Sequence, residues 1–411
     1  MAILPFPPAD NLYGRQWYLP LMRVPEAWTL LRNINRELTY GNPDIVIGVL
    51  DNGLPSVQVN NEWVCLHNDF NDKVSNRKNK VHSFYDFITG EENNVTVLNH
   101  HGLCCAGLAA GAVKALTKNG MVGVAPDCRL MGLRRLDNDI VIYTPDDFAR
   151  QLLKIAGFIP PGGDNRSTDY ENYVYDDAKA AHVISMSFTY KYVGDGYNDL
   201  HEGLLLAFDV IRRKGRNGKG TILVNSASNS NPARAVSAVN SIPRYAQDCI
   251  TVGASTLNSA NQEVATTYSN YSDELIEVDV CAPSSTTNEN IVHNRRNGTI
   301  GVLTATLPGQ GNIADSRDHI DNFGGSSAAA PLVAGITALM LTANPGLSSA
   351  EVNEIIRLSA VVIDNNTTVA NAAWYTKGTT PGGRPRLYSN VMGYGRINAE
   401  KAVQLAIDRL D

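Results

Sequence analysis

Cysteine is scarce in this chain of 411 residues. There are six, and two of them, Cys104 and Cys105, are adjacent and make a poor pair for a bridge. That is too sparse for a disulfide framework. Charge is also low, with 18 % Asp, Glu, Lys and Arg and a formal net charge of −6. No basic stripe is present, so nothing matches the electrostatic footprint of a nucleic-acid binder. No apolar run reaches membrane-spanning length, which leaves no membrane partner to expect. Repeats, low-complexity linkers and breaks in composition are all missing, and residues 1–411 read as one domain. The first eight residues, MAILPFPP, lack the basic region and long apolar stretch of a secretory signal. The expectation is therefore a cytoplasmic protein if the chain is full length, or a secreted one if it is a trimmed mature domain.

What the chain does have is 43 % hydrophobic residues, enough for a large core, arranged in alternating patterns. Apolar strand candidates lie near residues 44–50, 129–135, 181–187, 220–226, 249–253 and 276–281. Helical patterns fall near 101–113, 145–157, 200–213, 327–343 and 398–409. This alternation predicts an α/β fold, a parallel sheet with helices on both faces. The polar stretch 160–178 precedes a strand and is expected as a solvated loop away from the chemistry, while 69–98 reads as a long loop.

Four short segments carry candidate chemistry. Residues 44–53, DIVIGVLDNG, form a buried strand ending on Asp51, where open parallel sheets gather their reactive groups. Residues 100–111, HHGLCCAGLAAG, are small and apolar after a histidine pair, as in a tightly packed helix with His101 in its first turn. Residues 221–230, TILVNSASNS, are a second buried strand, whose Asn229 can offer a side-chain N–H to a developing oxyanion. Residues 323–331, FGGSSAAAP, put Ser327 at the start of a long apolar helix, where unpaired N–H groups create a positive potential. Taken singly, these are equally an Asx-turn aspartate, a core histidine, a turn asparagine and a capping serine.

The order Asp, His, Asn, Ser on these elements resembles the subtilisin-like serine proteases. So do GVAP at 123–126, VISMS at 183–187, TVGA at 251–254, VDVCAP at 278–283 and GYGRINA at 393–399. The opening DNLYGRQW at 10–17 and the AAAPL after Ser327 lean toward the kexin-like branch. The resemblance implies the subtilisin-like fold and a serine endopeptidase acting through an acyl-enzyme. Ser327 would be the nucleophile, His101 the base and Asp51 its orienting partner, with Asn229 in the oxyanion hole. It implies a protein or peptide substrate, bound by Ser187, Thr189, Ser226 and Ser228, with room for a regulatory protein or inhibitor. Ser228 and Thr189 replace glycines of the first specificity pocket and are expected to narrow it, and Asp195 is the candidate for a basic preference there. The acids of a strict dibasic reader are missing around Asn52 and at 98–100. No cofactor is needed for the chemistry, but Asp10 and Asn119 match ligands of a structural calcium. Cys105, four residues beyond His101 on a helix, should share its face. Leu103 and Ser326 stand where the family usually has threonine. The resemblance leaves two alternatives: a peptide ligase or macrocyclase, with 69–98 as its lid, and a catalytically silent peptide-binding homologue.

Overall fold

A computed structural model describes residues 5–410 apart from 61, 71–78, 91–96, 98, 115–119, 137–143, 191–199, 231, 241, 287–299, 364–371 and 381. Its centre is an eight-stranded sheet. In chain order the strands are β1 (Val46–Asp51), β2 (Val81–Asp86), β3 (Arg129–Arg134), β4 (Val183–Met186), β5 (Ile222–Ser226), β6 (Ile250–Leu257), β7 (Glu263–Ala265) and β8 (Val280–Pro283). In space they run β7-β6-β5-β4-β1-β3-β2, with β8 also paired to β6. Every pairing is parallel except the short β7 on β6. The strand order reverses around β1, so the carboxyl end of β1 faces the crevice where ligands of open α/β sheets bind.

Helices cover both faces, as alternation of side chains along each strand requires. One layer contains α1 (Val24–Ile34), α2 (His101–Ala110), α5 (Ser326–Ala343), α6 (Ser349–Ser359) and α7 (Ala399–Ile407). It packs on Ile47, Val49, Val183, Ile222 and Val224. The opposite layer, α3 (Pro145–Ile155) and α4 (Glu202–Gly218), packs on Val46, Leu50, Met131, Ile184 and Met186. α5 is long and apolar enough to cross a bilayer by composition, yet 94 % of it is buried inside the protein. It is the central core helix.

Several expectations shift. The stretch 69–98 holds the edge strand β2 and is not one long loop. Helices α1 and α6 add to the five expected ones. The polar stretch 160–178 is anchored on the α3–α4 side by buried Tyr170 and Tyr173, the Tyr170 hydroxyl donating to Asp146 at 3.0 Å. All six cysteines are buried and free.

Candidate active site

Asp51 ends β1 with no solvent exposure. Its carbonyl accepts the N–H groups of Arg135 and Leu136, and one carboxylate oxygen accepts the Asn52 N–H at 2.8 Å. The carboxylate faces His101, whose Nδ1 lies 2.8 and 2.9 Å from its two oxygens. His101 opens α2, its backbone N–H donating to the Asn99 side chain at 3.0 Å. The helix reaches β1 this closely because residue 102 is glycine. A Cβ there would lie 2.8 Å from the Gly53 carbonyl oxygen and 3.1 Å from Asp51 Cβ. The imidazole remains about one-fifth exposed, and Phe323 packs edge-on against it, with ring centroids 5.4 Å apart. Burial alone would lower the His101 pKa. The Asp51 charge and hydrogen bond, together with Cys105, outweigh it and hold the imidazole well above its usual 6.5.

Ser327 lies in the first turn of α5, after a β-hairpin of β9 (Val302–Ala305) and β10 (His319–Phe323). Two glycines bring it there. Gly324 sits where any Cβ would overlap the Ser285 hydroxyl. Gly325 has φ +73°, and a Cβ on it would meet Asn229 Nδ2 at 2.8 Å. Asn229 Oδ1 accepts both the Ser326 N–H at 2.8 Å and the Ser326 hydroxyl at 2.9 Å. This fixes the amide with its NH₂ turned away from Ser326, free to donate elsewhere. In sequence Ser326 is only a variant of a threonine; in the structure it is what holds Asn229.

The nucleophile candidate is not hydrogen-bonded to His101 in this conformation. Ser327 Oγ donates to the Ser187 carbonyl at 3.3 Å. In return the Ser187 hydroxyl donates to the Ser327 carbonyl at 3.1 Å. That carbonyl is available because of Pro331, four residues on inside α5, which has no N–H to give it. The Cys105 thiol takes up the same oxygen at 3.5 Å. Its Sγ also lies 3.8 Å from Asp51 Oδ2 and 3.9 Å from His101 Nδ1. Burial pushes this thiol's pKa up, so it stays protonated beneath the acid and base.

Of the other residues expected in the site, Ser187 and Ser226 are buried and Thr189 is exposed. Ser228 directly precedes Asn229 at φ +71°, a left-handed conformation that costs a serine energy, and its buried hydroxyl has no hydrogen-bond partner. Asp195 and Asn119 lie outside the described residues.

Some distance from this cluster, Asp10 is buried and accepts the Lys114 N–H at 3.1 Å. Asp69, fully buried, was not anticipated. One of its oxygens meets His319 Nε2 at 2.6 Å, and the other has no partner. The two carboxylates converge on Gly120, where a Cβ would lie 2.8 Å from Asp69 Oδ1 and 3.2 Å from Asp10 Oδ1. Burial, with Asp69's charge adding to it, pushes the Asp10 pKa up to about 7. An orphaned carboxylate oxygen beside a second buried carboxylate suits a hard cation.

A family model described as the subtilase family, a peptidase family, matches residues 42–395. A calcium-dependent protease of Nostoc sp. is 31 % identical over 417 residues, covering 96 % of this chain and 52 % of that protein. Human neuroendocrine convertase 2 is 26 % identical, covering 97 % of this chain and 53 % of its own length. The chain thus spans about half the length of these curated relatives. Among solved structures, the serine protease of Aeromonas sobria in complex with its chaperone superposes with a TM-score of 0.65 at 20 % identity. That match covers 99 % of this chain and 68 % of the other.

Proposed function

The chain belongs to the subtilase family, and from that premise we propose that it is a serine endopeptidase acting through Ser327, His101 and Asp51. The observation that carries the reading is the paired hydrogen bond from His101 Nδ1 to the buried Asp51 carboxylate, beside a helix that carries Ser327 in its first turn. With Nδ1–H bound to Asp51, the other ring nitrogen carries the lone pair a general base needs. Rotation of the Ser327 side chain away from the Ser187 carbonyl frees its hydroxyl for His101, as bound substrate often demands of a resting site. Ser327 Oγ then attacks the scissile carbonyl while His101 takes its proton and later delivers it to the leaving amine. Asp51 holds the imidazole in place and stabilises its charged form. The Asn229 amide and the Ser327 N–H receive the oxyanion.

The substrate is an extended peptide lying along residues 187–189. Ser187, Thr189, Ser226 and Ser228 border its first pocket, the serine at 228 narrowing it, and Asp195 favours a basic residue there. With no acid at Asn52 or at 98–100, strict dibasic cleavage is absent. A library profile that demands Lys-Arg before the cut speaks against this. Asp10 and Asp69, with Asn119 preceding Gly120 in sequence as a further ligand, hold a structural calcium that neutralises the two converging carboxylates and stiffens the segment before α1. Peptide turnover tests the main reading. The purified chain cleaves a denatured protein substrate into shorter products, and Ser327→Ala abolishes cleavage. An unchanged rate in that variant, or ligated products only, overturns it.

A further inference from the structure

The segment 187–190 leaves the sheet at the carboxyl end of β4; Phe188 and Tyr190 pack on Phe148, and the main chain is held by a pair of buried amides. Asn225 and Asn240 have no solvent exposure. Asn225, on β5 in register with Met186, donates through Nδ2 to the Met186 carbonyl at 2.9 Å and to the Phe188 carbonyl at 3.3 Å. Its Oδ1 accepts Asn240 Nδ2 at 2.6 Å. Asn240 Oδ1 in turn accepts the N–H groups of Tyr190 at 3.3 Å and Ile242 at 3.1 Å. Each amide is therefore used on both its donor and its acceptor side. That makes the pair a satisfied buried network, whose loss leaves main-chain groups stranded.

The direction of these bonds matters. In extended chain the groups of residues 186, 188 and 190 point to one edge, and those of 187 and 189 to the other. The two amides occupy the first edge as a neighbouring strand would. On the second edge, the Ser187 carbonyl meets only the Ser327 hydroxyl, and the Thr189 N–H and C=O have no main-chain partner among the described residues. We propose that Asn225 and Asn240 are positioning residues, a two-amide stand-in for a strand that fixes 187–190 so its free edge receives the substrate main chain in register with Ser327. This rests on the endopeptidase reading and extends it to how the peptide is held.

The test separates nucleophile from groove. A fluorophosphonate reacts with an activated serine without needing a paired main chain, whereas an extended peptide needs both. In Asn225→Ala, kcat/KM for an extended peptide should fall roughly ten- to hundred-fold per reactive serine, as expected for losing two to three buried hydrogen bonds. The fluorophosphonate labelling rate at Ser327 should stay within about twofold. Asn240→Ala, which spares the bonds to Met186 and Phe188, should show the same split with a smaller loss, and serves if Asn225→Ala does not fold. Peptide turnover per labelled serine equal to the parent overturns the proposal. So does a parallel fall in labelling and turnover, which would place the amides in support of the nucleophile or of the fold at large. A parent chain that labels at Ser327 but cleaves no peptide counts against the endopeptidase reading itself, and this proposal falls with it.

Discussion

Replacing Gly102 by alanine adds one methyl group in the position where α2 touches β1. That carbon would lie 2.8 Å from the Gly53 carbonyl oxygen, 3.0 Å from the Gly53 nitrogen and 3.1 Å from Asp51 Cβ. Two of the three neighbours are main chain and none is the free end of a flexible side chain. The 2.8 Å contact must open by about half an ångström before repulsion ends, so the first turn of α2 has to move as a unit. His101 moves with it, against hydrogen bonds of 2.8 and 2.9 Å to Asp51 that tolerate little displacement. Overpacking of this kind costs about 1–3 kcal/mol of stability. Misplacing a reacting group by up to 1 Å costs up to about 10² in rate. The expected result is a folded protein with a lower melting temperature and kcat/KM reduced about ten- to hundred-fold. The loss should appear in kcat and in the rate of fluorophosphonate inactivation alike, since both need the imidazole in place. A variant with parental melting temperature and parental kcat would refute the close-approach argument for α2.

Other expectations follow from the same geometry. Because the Asp51 charge holds His101 above 6.5, and the base works only when neutral, kcat/KM should still be climbing as pH rises past 6.5. Asp51→Asn should move that inflection down and cut turnover by about 10⁴, whereas a parental inflection below 6.5 contradicts the assignment. Organomercurials should inhibit through Cys105, whose sulfur lies within 4 Å of His101 and Asp51, and Cys105→Ala should be insensitive; equal inhibition of both proteins removes Cys105 from the account. Calcium should raise the melting temperature at pH 8 and chelation should lower it. Asp10 must lose its proton to bind the cation and does so at about 7, so the gain should fade below pH 7 and vanish in Asp10→Asn. A melting temperature indifferent to calcium at pH 8 disposes of the site.

The sheet and the site were unequally legible. β1, β5 and α5 stand out because each is a continuous apolar run closed by glycine or polar turn residues, and buried elements leave that mark in sequence. β2 did not, because VHSFYD lies at the sheet edge and half of its side chains are only partly buried. α6 carried a signal that could have found it, the Ser348–Glu351 capping box, but its pattern is short and mixed. The positions of Asp51, His101, Asn229 and Ser327 were readable because each sits where a strand ends or a helix begins. Their supports were not. Ser326 on Asn229, Asn240 on Asn225, and His319 on Asp69 join residues 97, 15 and 250 positions apart, and no local pattern encodes those pairs. Gly102 and Pro331 lie between the two cases. Their types are visible in sequence, but what they permit depends on the neighbour each one meets.

Mapping the site of fluorophosphonate attack in the folded chain, beside Ser327→Ala and with calcium present, decides whether Ser327 is the activated nucleophile. A single adduct is expected on Ser327, absent from the variant and forming faster as pH rises. An adduct on another serine, or none in folded protein, would contradict it.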